Sequence, residues 1–415
     1  MPTYLIARSP RLNGDVVVAP SKNAALPLLA ATLMTDERVS IERVPDLSDI
    51  EAMCQILQSA GAKVTRVGGG VSVEGGPSGS PESAREAVGR MRASVLLLGP
   101  LLARLKNARI ALPGGCAIGQ RPVDLHVKGF EKMGARGAIE GGCLTMTGEL
   151  TGANIYLDFP SVGATENLLM GAALAKGETR IENAAKEPEI VNLADMLRGM
   201  GADIRGAGTG SIRVMGVKRL HGTAFMPIPD RIEAGTFLCA ASVTQGSLLI
   251  KNARAEHLRA ALHKLRDAGV LVREDRLGLW VRGEAKRAFE VRTLSYPGFP
   301  TDLQALFSVL ACRAEGVSAI VETIFENRFM HLKELSRMGA DIHVEGQLAL
   351  IKGGTPLSGT RVMATDLRAA AALLIAGLLA RGETELVDDA GHLLRGYDGL
   401  DQKLRDVGAV IRRLS

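Results

Sequence analysis

The segment Leu367-Arg-Ala-Ala-Ala-Ala-Leu-Leu-Ile-Ala-Gly-Leu-Leu-Ala380 decides the fold. Its alanine and leucine content predicts a helix, and Arg368 in the first turn is its only polar residue. A helix that is apolar around its whole circumference has to be buried on all sides. A turn and the strand sequence Thr384-Glu-Leu-Val387 follow it. We therefore expect this helix to lie in a core covered by sheets and further helices.

The same pattern occurs six times along the chain. The other alanine- and leucine-rich segments are residues 24–34, 93–105, 164–175, 234–243 and 303–311. Each is followed by a short strand and then by an amphipathic helix that ends in Gly-Ala or Gly-Val, where glycine suits a left-handed C-cap. The cap glycines are Gly61, Gly134, Gly201, Gly269, Gly339 and Gly408, at intervals of 73, 67, 68, 70 and 69 residues. This regular spacing indicates six structural repeats.

We predict an α/β fold of two inside-out α/β barrel domains, each with three repeats around buried central helices in pseudo-threefold symmetry. One repeat cannot bury its own central helix, so the repeats have to cluster. The first domain is expected to span residues 22–229, and the second to combine residues 1–21 with 230–415. A strand pair within residues 4–18 would complete the last repeat. An open solenoid of six repeats is the alternative, although the last repeat is not a polar end cap.

Composition narrows the classes of function. Phe, Tyr and Trp make up 3% of the 415 residues, too few for base-stacking platforms, so we expect no nucleic-acid partner. The net charge of +5 suits anionic small molecules. Five widely spaced cysteines without a C-x-x-C motif argue against disulfides and structural zinc. With no signal-peptide pattern and no run of about 18 apolar residues, we expect a cytoplasmic protein without membrane insertion.

The second repeat departs most from the common pattern, in the stretch Ile110-Ala-Leu-Pro-Gly-Gly-Cys-Ala-Ile-Gly-Gln-Arg-Pro-Val-Asp-Leu-His126. Its cap glycine comes 24 residues after Ile110, against 19–22 residues for the equivalent interval in the other repeats. The sixth repeat is next in length, and its extra residues 391–396 occur at the same point. Because insertions in repeats tend to share one working face, Cys116 is a candidate catalytic thiol. The alternative is an incidental free thiol in a glycine-rich turn.

The starts of the apolar helices carry charged residues. Lys22, Arg92 and Asp302 each lie at the start of such a helix, and Arg121 follows the cysteine loop. Unpaired N–H groups and the helix dipole attract anions at helix N-termini. Together with these cations they predict a phosphate or carboxylate site. Capping or mutual ion pairing is the alternative explanation, and it fits Glu233 and Asp366 well.

Eight collinear segments, spread over nearly the whole chain, form a further set of motifs. They are Lys22-Asn-Ala-Ala-Leu-Pro, Pro113-Gly-Gly-Cys-Ala-Ile-Gly-Gln-Arg-Pro-Val-Asp-Leu-His126, Ser161-Val-Gly-Ala-Thr, Glu187-Pro-Glu-Ile, Pro229-Asp-Arg-Ile-Glu, Phe299-Pro-Thr-Asp, Phe325-Glu-Asn-Arg-Phe-Met-His and Ala364-Thr-Asp-Leu-Arg. Together these segments resemble the UDP-N-acetylglucosamine enolpyruvyl transferase family. The cysteine loop is highly specific. The resemblance implies two inside-out α/β domains of three repeats each, which agrees with the repeat count.

The resemblance implies a transferase that moves the enolpyruvyl group of phosphoenolpyruvate to the 3-hydroxyl of UDP-N-acetylglucosamine, releasing phosphate, in the cleft between the domains. This is the first committed step of peptidoglycan biosynthesis, with consequences for cell wall biogenesis, cell shape and cell division, and such enzymes are fosfomycin targets. By the family pattern Cys116 is the general acid that protonates the methylene carbon. Asp302 is the base toward the hydroxyl, or its orienting acceptor. Lys22, Arg121 and Arg395 clamp phosphate and carboxylate.

Other implied contacts involve the acceptor. Arg92 is shared between the ligands, and Asn23 positions the reacting sugar. The nucleotide pocket is implied to consist of Arg121, Pro122, Val123, Asp124, Leu125, Ser161, Val162 and Ile324. No cofactor and no metal are expected, because cationic side chains stabilise the developing charge. His126 is open between a structural role and support of the cysteine loop, and the oligomeric state is open as well.

Three other functions compete with this one. The sister enzyme 5-enolpyruvylshikimate-3-phosphate synthase shares the architecture but does not use such a cysteine loop. A paralogous enolpyruvyl transferase would use another nucleotide-sugar acceptor. A non-catalytic UDP-sugar binder would be expected to have lost at least one of Lys22, Cys116, Arg121 and Asp302, all of which are present.

Overall fold

The computed structural model describes residues 2–79, 92–111 and 123–414. These residues form two compact units, which we call the first and the second domain. The first domain comprises the described residues between 20 and 228, and the second combines residues 2–19 with 229–414. Within this described part of the chain, no helix combines the length and the apolar character needed to cross a membrane.

The helices of the first domain alternate between buried and amphipathic, as the repeat pattern predicts. They are α1 (Lys22–Ala31), α2 (Ser48–Ser59), α3 (Leu98–Leu105), α4 (Asp124–Lys132), α5 (Val162–Ala173) and α6 (Pro188–Gly199), with 3-10 helices at Thr32–Met34 and Arg92–Leu97. Those of the second domain are α7 (Arg231–Val243), α8 (Arg259–Asp267), α9 (Thr301–Arg313), α10 (Met330–Arg337), α11 (Leu367–Leu379), α12 (His392–Gly396) and α13 (Leu400–Asp406), with a 3-10 helix at Ala255–His257.

The apolar helices form the cores, as predicted. In α11 every residue from Arg368 to Leu378 is buried, and α7, α9 and α11 pack against one another. Each domain has its own continuous cluster of buried aliphatic side chains. The predicted helix over residues 93–105 is instead a 3-10 helix followed by α3. Pro100 explains the break, because its ring disfavours a preceding α-helical turn but is tolerated in the first turn of α3.

The strands form three sheets in each domain. They are β1 (Thr3–Ala7), β2 (Asn13–Val17), β3 (Val39–Ile41), β4 (Lys63–Val67), β5 (Gly70–Glu74), β6 (Asn107–Ala111), β7 (Arg136–Glu140), β8 (Cys143–Thr147), β9 (Asn154–Tyr156), β10 (Glu178–Glu182), β11 (Asp203–Arg205), β12 (Ser211–Met215), β13 (Ala224–Phe225), β14 (Ser247–Lys251), β15 (Leu271–Asp275), β16 (Gly278–Arg282), β17 (Glu290–Arg292), β18 (Val317–Val321), β19 (Asp341–Glu345), β20 (Leu348–Lys352), β21 (Arg361–Met363), β22 (Glu383–Val387) and β23 (Ile411–Leu414). The first domain contains the sheets β13-β3-β5-β4, β6-β8-β7 and β11-β12-β10-β9. The second contains β15-β16-β14-β2, β17-β18-β20-β19 and β21-β22-β1-β23.

The predicted cap glycines terminate the amphipathic helices. All six have a positive φ, between 96° and 106°, a conformation that costs a residue with a Cβ more than it costs glycine. The chain then turns into the next hairpin or strand of the repeat. The repeat boundaries predicted from these glycines are confirmed.

The N-terminal strands do not form the predicted pair. β1 lies between β22 and β23 and pairs antiparallel with both, so it completes the last sheet as expected. β2 instead runs parallel to β14 in the sheet of the fourth repeat. In the repeats of α5, α9 and α11 the strand before the buried helix (β9, β17 or β21) runs parallel to the first strand after it. The strands before α1 and α7 are exchanged: β2, before α1, pairs with β14 after α7, and β13, before α7, pairs with β3 after α1.

Candidate functional site

Asp302 lies in the first turn of α9 and forms two ion pairs. Its Oδ1 atom is 2.8 Å from Nη2 of Arg328, and its Oδ2 atom is 3.0 Å from Nη2 of Arg368. Arg328 precedes α10 and Arg368 belongs to the first turn of α11, so three segments of the second domain meet at this carboxylate. The Asp302 side chain retains 26% exposure, while those of both arginines are almost fully buried.

Packing fixes both guanidinium groups. Asp366 caps α11 by accepting the backbone N–H groups of Arg368 and of the residue after it, at 2.8 and 3.1 Å. The Arg368 guanidinium lies 5.6 Å from the ring centroid of Tyr397, and that of Arg328 lies 5.3 Å from the ring centroid of Phe325. These cation–π contacts hold each arginine against one aromatic face. The cluster is therefore built to present a carboxylate of fixed orientation.

The electrostatics of the cluster keep Asp302 ionised. Burial of the carboxyl group raises its pKa, but the guanidinium groups of Arg368 and Arg328 outweigh burial and hold the pKa of Asp302 well below its usual range. A carboxylate with such a low pKa binds a proton weakly. It is better suited to accept a hydrogen bond and to orient a hydroxyl group than to store a proton.

Lys22 is the first residue of α1, as predicted. Ser21 caps this helix by accepting the N–H of Ala24 at 3.3 Å. The Lys22 ammonium lies 3.1 Å from Oδ2 of Asp49 in the first turn of α2, and both side chains are about nine-tenths buried. The candidate anion-binding lysine is thus held by a carboxylate of its own domain. Asn23 follows it and is half-buried.

Two of the predicted nucleotide-binding segments come together in the first domain. Residues 123–125 form the start of α4, and Ser161 and Val162 form the start of α5. A Cβ atom placed on Gly163 would lie 3.5 Å from Cε1 of His126, so the two helix starts are in contact. Ser161 caps α5 by accepting the N–H of Ala164 at 3.3 Å. Two adjacent helix N-termini form a suitable environment for an anionic group.

Asn167 defines the state of the His126 ring. Its Oδ1 atom accepts the N–H of Gly99 at 2.7 Å, and its Nδ2 atom donates to the carbonyl oxygen of Val95 at 2.8 Å. The second hydrogen on Nδ2 points to Nδ1 of His126, also at 2.8 Å. Nδ1 must then accept, which leaves the proton of the neutral ring on Nε2. His126 joins α4 to α5 through this contact, which is a structural role.

The remaining predicted residues lie in other places. Ile324 follows β18, and its N–H donates to Oε1 of Glu322 at 2.8 Å. Arg395 lies on the short helix α12, which begins where Asp388 accepts two backbone N–H groups. Arg92 is the first residue of the 3-10 helix before α3. Residues that lie outside the described part of the chain are Cys116, Arg121 and Pro122.

The two arginines that pair with Asp302 are not among the site residues predicted from the sequence. Both occur in segments that carried the family resemblance, 325–331 and 364–368. A signal for Arg368 was present, because it is a charged residue in the first turn of an otherwise apolar helix. For Arg328 the sequence holds no comparable periodic signal.

No metal-binding cluster is found in the part of the chain that the structure describes. Groups of three or more His, Cys, Asp or Glu side chains close enough to hold an ion do not occur there. The polar groups described above are instead Asp302 with its arginines in the second domain, and Lys22 with Asp49 and the helix starts around His126 in the first.

We expect the His126 ring to remain neutral, protonated on Nε2, down to about pH 4. Burial lowers its pKa to about 4, and the carboxylate of Asp124 opposes this only partly. Since the unfolded chain then binds the proton more readily, the free energy of unfolding falls between about pH 6.5 and 4, by about 3 kcal/mol. Imidazole ¹⁵N NMR identifies the tautomer, and unfolding measured against pH in His126→Gln gives the contribution of this residue.

The matched reference is His331, which burial also gives a pKa of about 4 in the second domain. His126→Gln should remove one part of the pH dependence and leave the His331 part. A titration of His126 near pH 6.5, or a proton on Nδ1, would contradict the assignment.

Comparison with known proteins places this architecture in a family. The family model for EPSP synthase (3-phosphoshikimate 1-carboxyvinyltransferase) matches residues 6–404. UDP-N-acetylglucosamine 1-carboxyvinyltransferase 2 of Carboxydothermus hydrogenoformans is 52% identical over 419 residues, covering 100% of both chains. The UDP-N-acetylglucosamine 1-carboxyvinyltransferase of Granulibacter bethesdensis is 51% identical over 409 residues, covering 97% of both.

Solved structures agree with this assignment. The enolpyruvyl transferase NikO from Streptomyces tendae is 28% identical, with a TM-score of 0.89 over 100% of this chain and 99% of that one. An EPSP synthase from Acinetobacter baumannii is 18% identical, with a TM-score of 0.78 over 100% of both chains, and shows likeness of fold alone. These neighbours confirm the predicted two-domain inside-out α/β fold class. The chain therefore belongs to the EPSP synthase family of carboxyvinyltransferases.

Proposed function

We propose that this protein is a UDP-N-acetylglucosamine 1-carboxyvinyltransferase. It transfers the enolpyruvyl group of phosphoenolpyruvate to the 3-hydroxyl of UDP-N-acetylglucosamine and releases phosphate, in peptidoglycan synthesis. The observation that carries the proposal is the identity of 48% to 52%, over nearly the full length, to proteins of that name. The EPSP synthase from Acinetobacter baumannii is only 18% identical.

Asp302 orients the acceptor hydroxyl in this proposal. Its ionised carboxylate accepts a hydrogen bond from the hydroxyl, and this bond directs an oxygen lone pair toward the electrophilic carbon of phosphoenolpyruvate. Fixed dipoles and charges that need no rearrangement during the reaction lower the barrier most effectively. The two guanidinium groups beside Asp302 supply that rigidity. The low pKa favours the orienting role over that of the base.

Cationic side chains and the cysteine act on the other substrate. Lys22, Arg121 and Arg395 clamp the phosphate and carboxylate of phosphoenolpyruvate. Cys116 protonates its methylene carbon, so that the neighbouring carbon becomes open to attack by the hydroxyl oxygen. Cleavage of the carbon–oxygen bond to phosphate and loss of one methyl proton then restore the double bond and the thiol, and the hydroxyl proton leaves with the phosphate. The roles of Cys116 and Arg121 rest on the sequence motif.

The helix starts of the first domain bind the nucleotide. Val123, Asp124, Leu125, Ser161 and Val162 form the described part of this pocket, with Arg121 and Pro122 from the cysteine loop. The backbone N–H groups at two adjoining helix N-termini suit a diphosphate. Asn23 positions the sugar, Arg92 contacts both ligands, and Ile324 completes the pocket.

The wider setting belongs to the same proposal. The enzyme works in the cytoplasm on a pathway that determines cell shape and division. Its partners are the two small-molecule substrates, with no nucleic acid involved.

We expect phosphate release from phosphoenolpyruvate that depends on UDP-N-acetylglucosamine. Asp302→Asn keeps the shape of the side chain but removes its charge, so kcat should fall by about 100-fold, as on removal of one preorganised electrostatic group. A coupled phosphate assay measures both. The matched control is Asp267→Asn, which changes an exposed aspartate of α8 in the same domain and should leave kcat unchanged.

Each alternative function has its own outcome in this assay. Release with another nucleotide sugar but not with UDP-N-acetylglucosamine would indicate a paralogous enolpyruvyl transferase. Binding of UDP-N-acetylglucosamine without release under any condition would indicate a non-catalytic binder. Release that requires shikimate 3-phosphate would indicate an EPSP synthase.

We also expect the epoxide fosfomycin to alkylate Cys116 and no other cysteine. Cys54, Cys143, Cys239 and Cys312 are buried, and burial raises the pKa of Cys54 to about 11 and that of Cys312 to about 12. Since the thiolate is the nucleophile, such thiols react slowly. Peptide mass spectrometry locates the adduct, with Cys54→Ser as a control that should label normally. An adduct on Cys54 or Cys143 would contradict the special role of Cys116.

A further inference from the structure

Glu322 is a buried carboxylate whose two oxygens are both occupied. It follows β18 directly and is 1% exposed. Its Oε1 atom accepts from Oγ1 of Thr293 at 2.9 Å and from the N–H groups of Ile324 and Phe325 at 2.8 and 3.2 Å. Its Oε2 atom accepts from Oγ1 of Thr301 at 2.8 Å. A buried carboxylate is tolerated only with such partners, and here the partners belong to segments that converge on Asp302.

One of these segments is the start of α9. Four other buried helices, α1, α5, α7 and α11, each have a Ser or Asp N-cap residue whose side chain accepts backbone N–H groups. The helix α9 begins after Pro300, which makes no side-chain cap. Thr301 is its first residue, and the hydroxyl of Thr301 is bound to Glu322 instead. Glu322 thus holds the turn that carries Asp302.

The second segment leads to the partner of Asp302. Glu322 binds the backbone N–H of Phe325, the Phe325 ring contacts the Arg328 guanidinium, and Arg328 donates to Asp302. Glu322 is therefore linked to Asp302 in two ways. One link runs through Thr301, the neighbour of Asp302 in the chain, and the other runs through Phe325 and Arg328. Both members of the Asp302–Arg328 pair are attached to one buried carboxylate.

We propose that Glu322 is a positioning residue of the transfer reaction, which sets the orientation of Asp302 by holding Thr301 on one side and the Ile324–Phe325 backbone on the other. The proposal rests on the proposed function, in which Asp302 orients the acceptor hydroxyl. A displacement of about 1 Å at a reacting group can cost about 100-fold in rate. Loss of the Thr301 contact should thus lower kcat while leaving the nucleotide-binding residues of the first domain in place.

The decisive comparison is between Thr301→Val and Thr293→Val. Each removes one hydroxyl donor to Glu322 at almost the same distance, 2.8 and 2.9 Å. The Thr293 hydroxyl also accepts the N–H of Thr323 at 2.8 Å, so Thr301→Val should lower Tm by about 2–4 °C and Thr293→Val by at least as much. Only Thr301 adjoins Asp302. We expect Thr301→Val to lower kcat by about 10- to 100-fold, with KM for UDP-N-acetylglucosamine changed by less than about 3-fold, and Thr293→Val to lower kcat by less than about 3-fold.

A second pair of variants separates charge from geometry. In Glu322→Gln the amide oxygen can accept from the Ile324 and Phe325 N–H groups, and the amide nitrogen can donate to the Thr301 hydroxyl. It should keep kcat within about 5-fold of the wild type, whereas Glu322→Ala should lose about 100-fold. All assays are run well below the lowest Tm of the variants. If Glu322→Ala fails to fold, the comparison of Thr301→Val with Thr293→Val still tests the proposal.

Equal effects of Thr301→Val and Thr293→Val on kcat would overturn the proposal. So would normal kcat in Thr301→Val, or a loss in Glu322→Gln as large as in Glu322→Ala. Each of these outcomes is a kcat of a variant divided by the kcat of the wild type, so each requires an active wild-type enzyme. Failure of the proposed function would show instead as absence of phosphate release by the wild type with UDP-N-acetylglucosamine, so the two failures are distinguishable.

Discussion

Complete burial of the central helices is the constraint on which the rest of the structure depends. A helix such as α11 exposes no face that water could solvate, so it needs neighbours on every side. One repeat of helix and sheet cannot provide them, and three repeats together do. Charged side chains then concentrate toward the starts and ends of these helices, and polar side chains further inside, such as Asn167 and Ser308, are hydrogen-bonded. The candidate site residues Lys22, Ser161 and Asp302 all lie at such starts, where the first backbone N–H groups have no acceptor within the helix itself.

The same burial determines the chemistry of these groups. A charge that leaves water needs a partner, and three of the charged groups described above each have partners within their own domain. Lys22 has Asp49, Asp302 has two guanidinium groups, and Glu322 has four hydrogen-bond donors. These contacts lower the freedom of the side chains before any substrate binds, and the two guanidinium groups also hold the pKa of Asp302 low. Preorganisation of this kind is what a polar transition state requires.

Much of the architecture could be predicted from the sequence, because it depends on local pattern. The apolar segments and the six cap glycines follow from helix periodicity and from the conformation of glycine. The pairing of β2 with β14 and the partners of Asp302 could not be predicted in this way. Arg328 and Arg368 are 26 and 66 residues from Asp302 in sequence, and nothing in their local pattern specifies which carboxylate they meet. The roles of individual site residues came from family motifs and stay predictions.

The central claim is that two buried arginines hold Asp302 as a carboxylate that orients a hydroxyl group. Carboxyl ¹³C NMR of aspartate-labelled protein, with the Asp302 signal identified by its absence in Asp302→Asn, tests this most directly. The account predicts that Asp302 stays ionised across the whole range in which ordinary aspartates titrate, around pH 3.9, and begins to protonate only below it. Titration of Asp302 at or above that value would contradict the account.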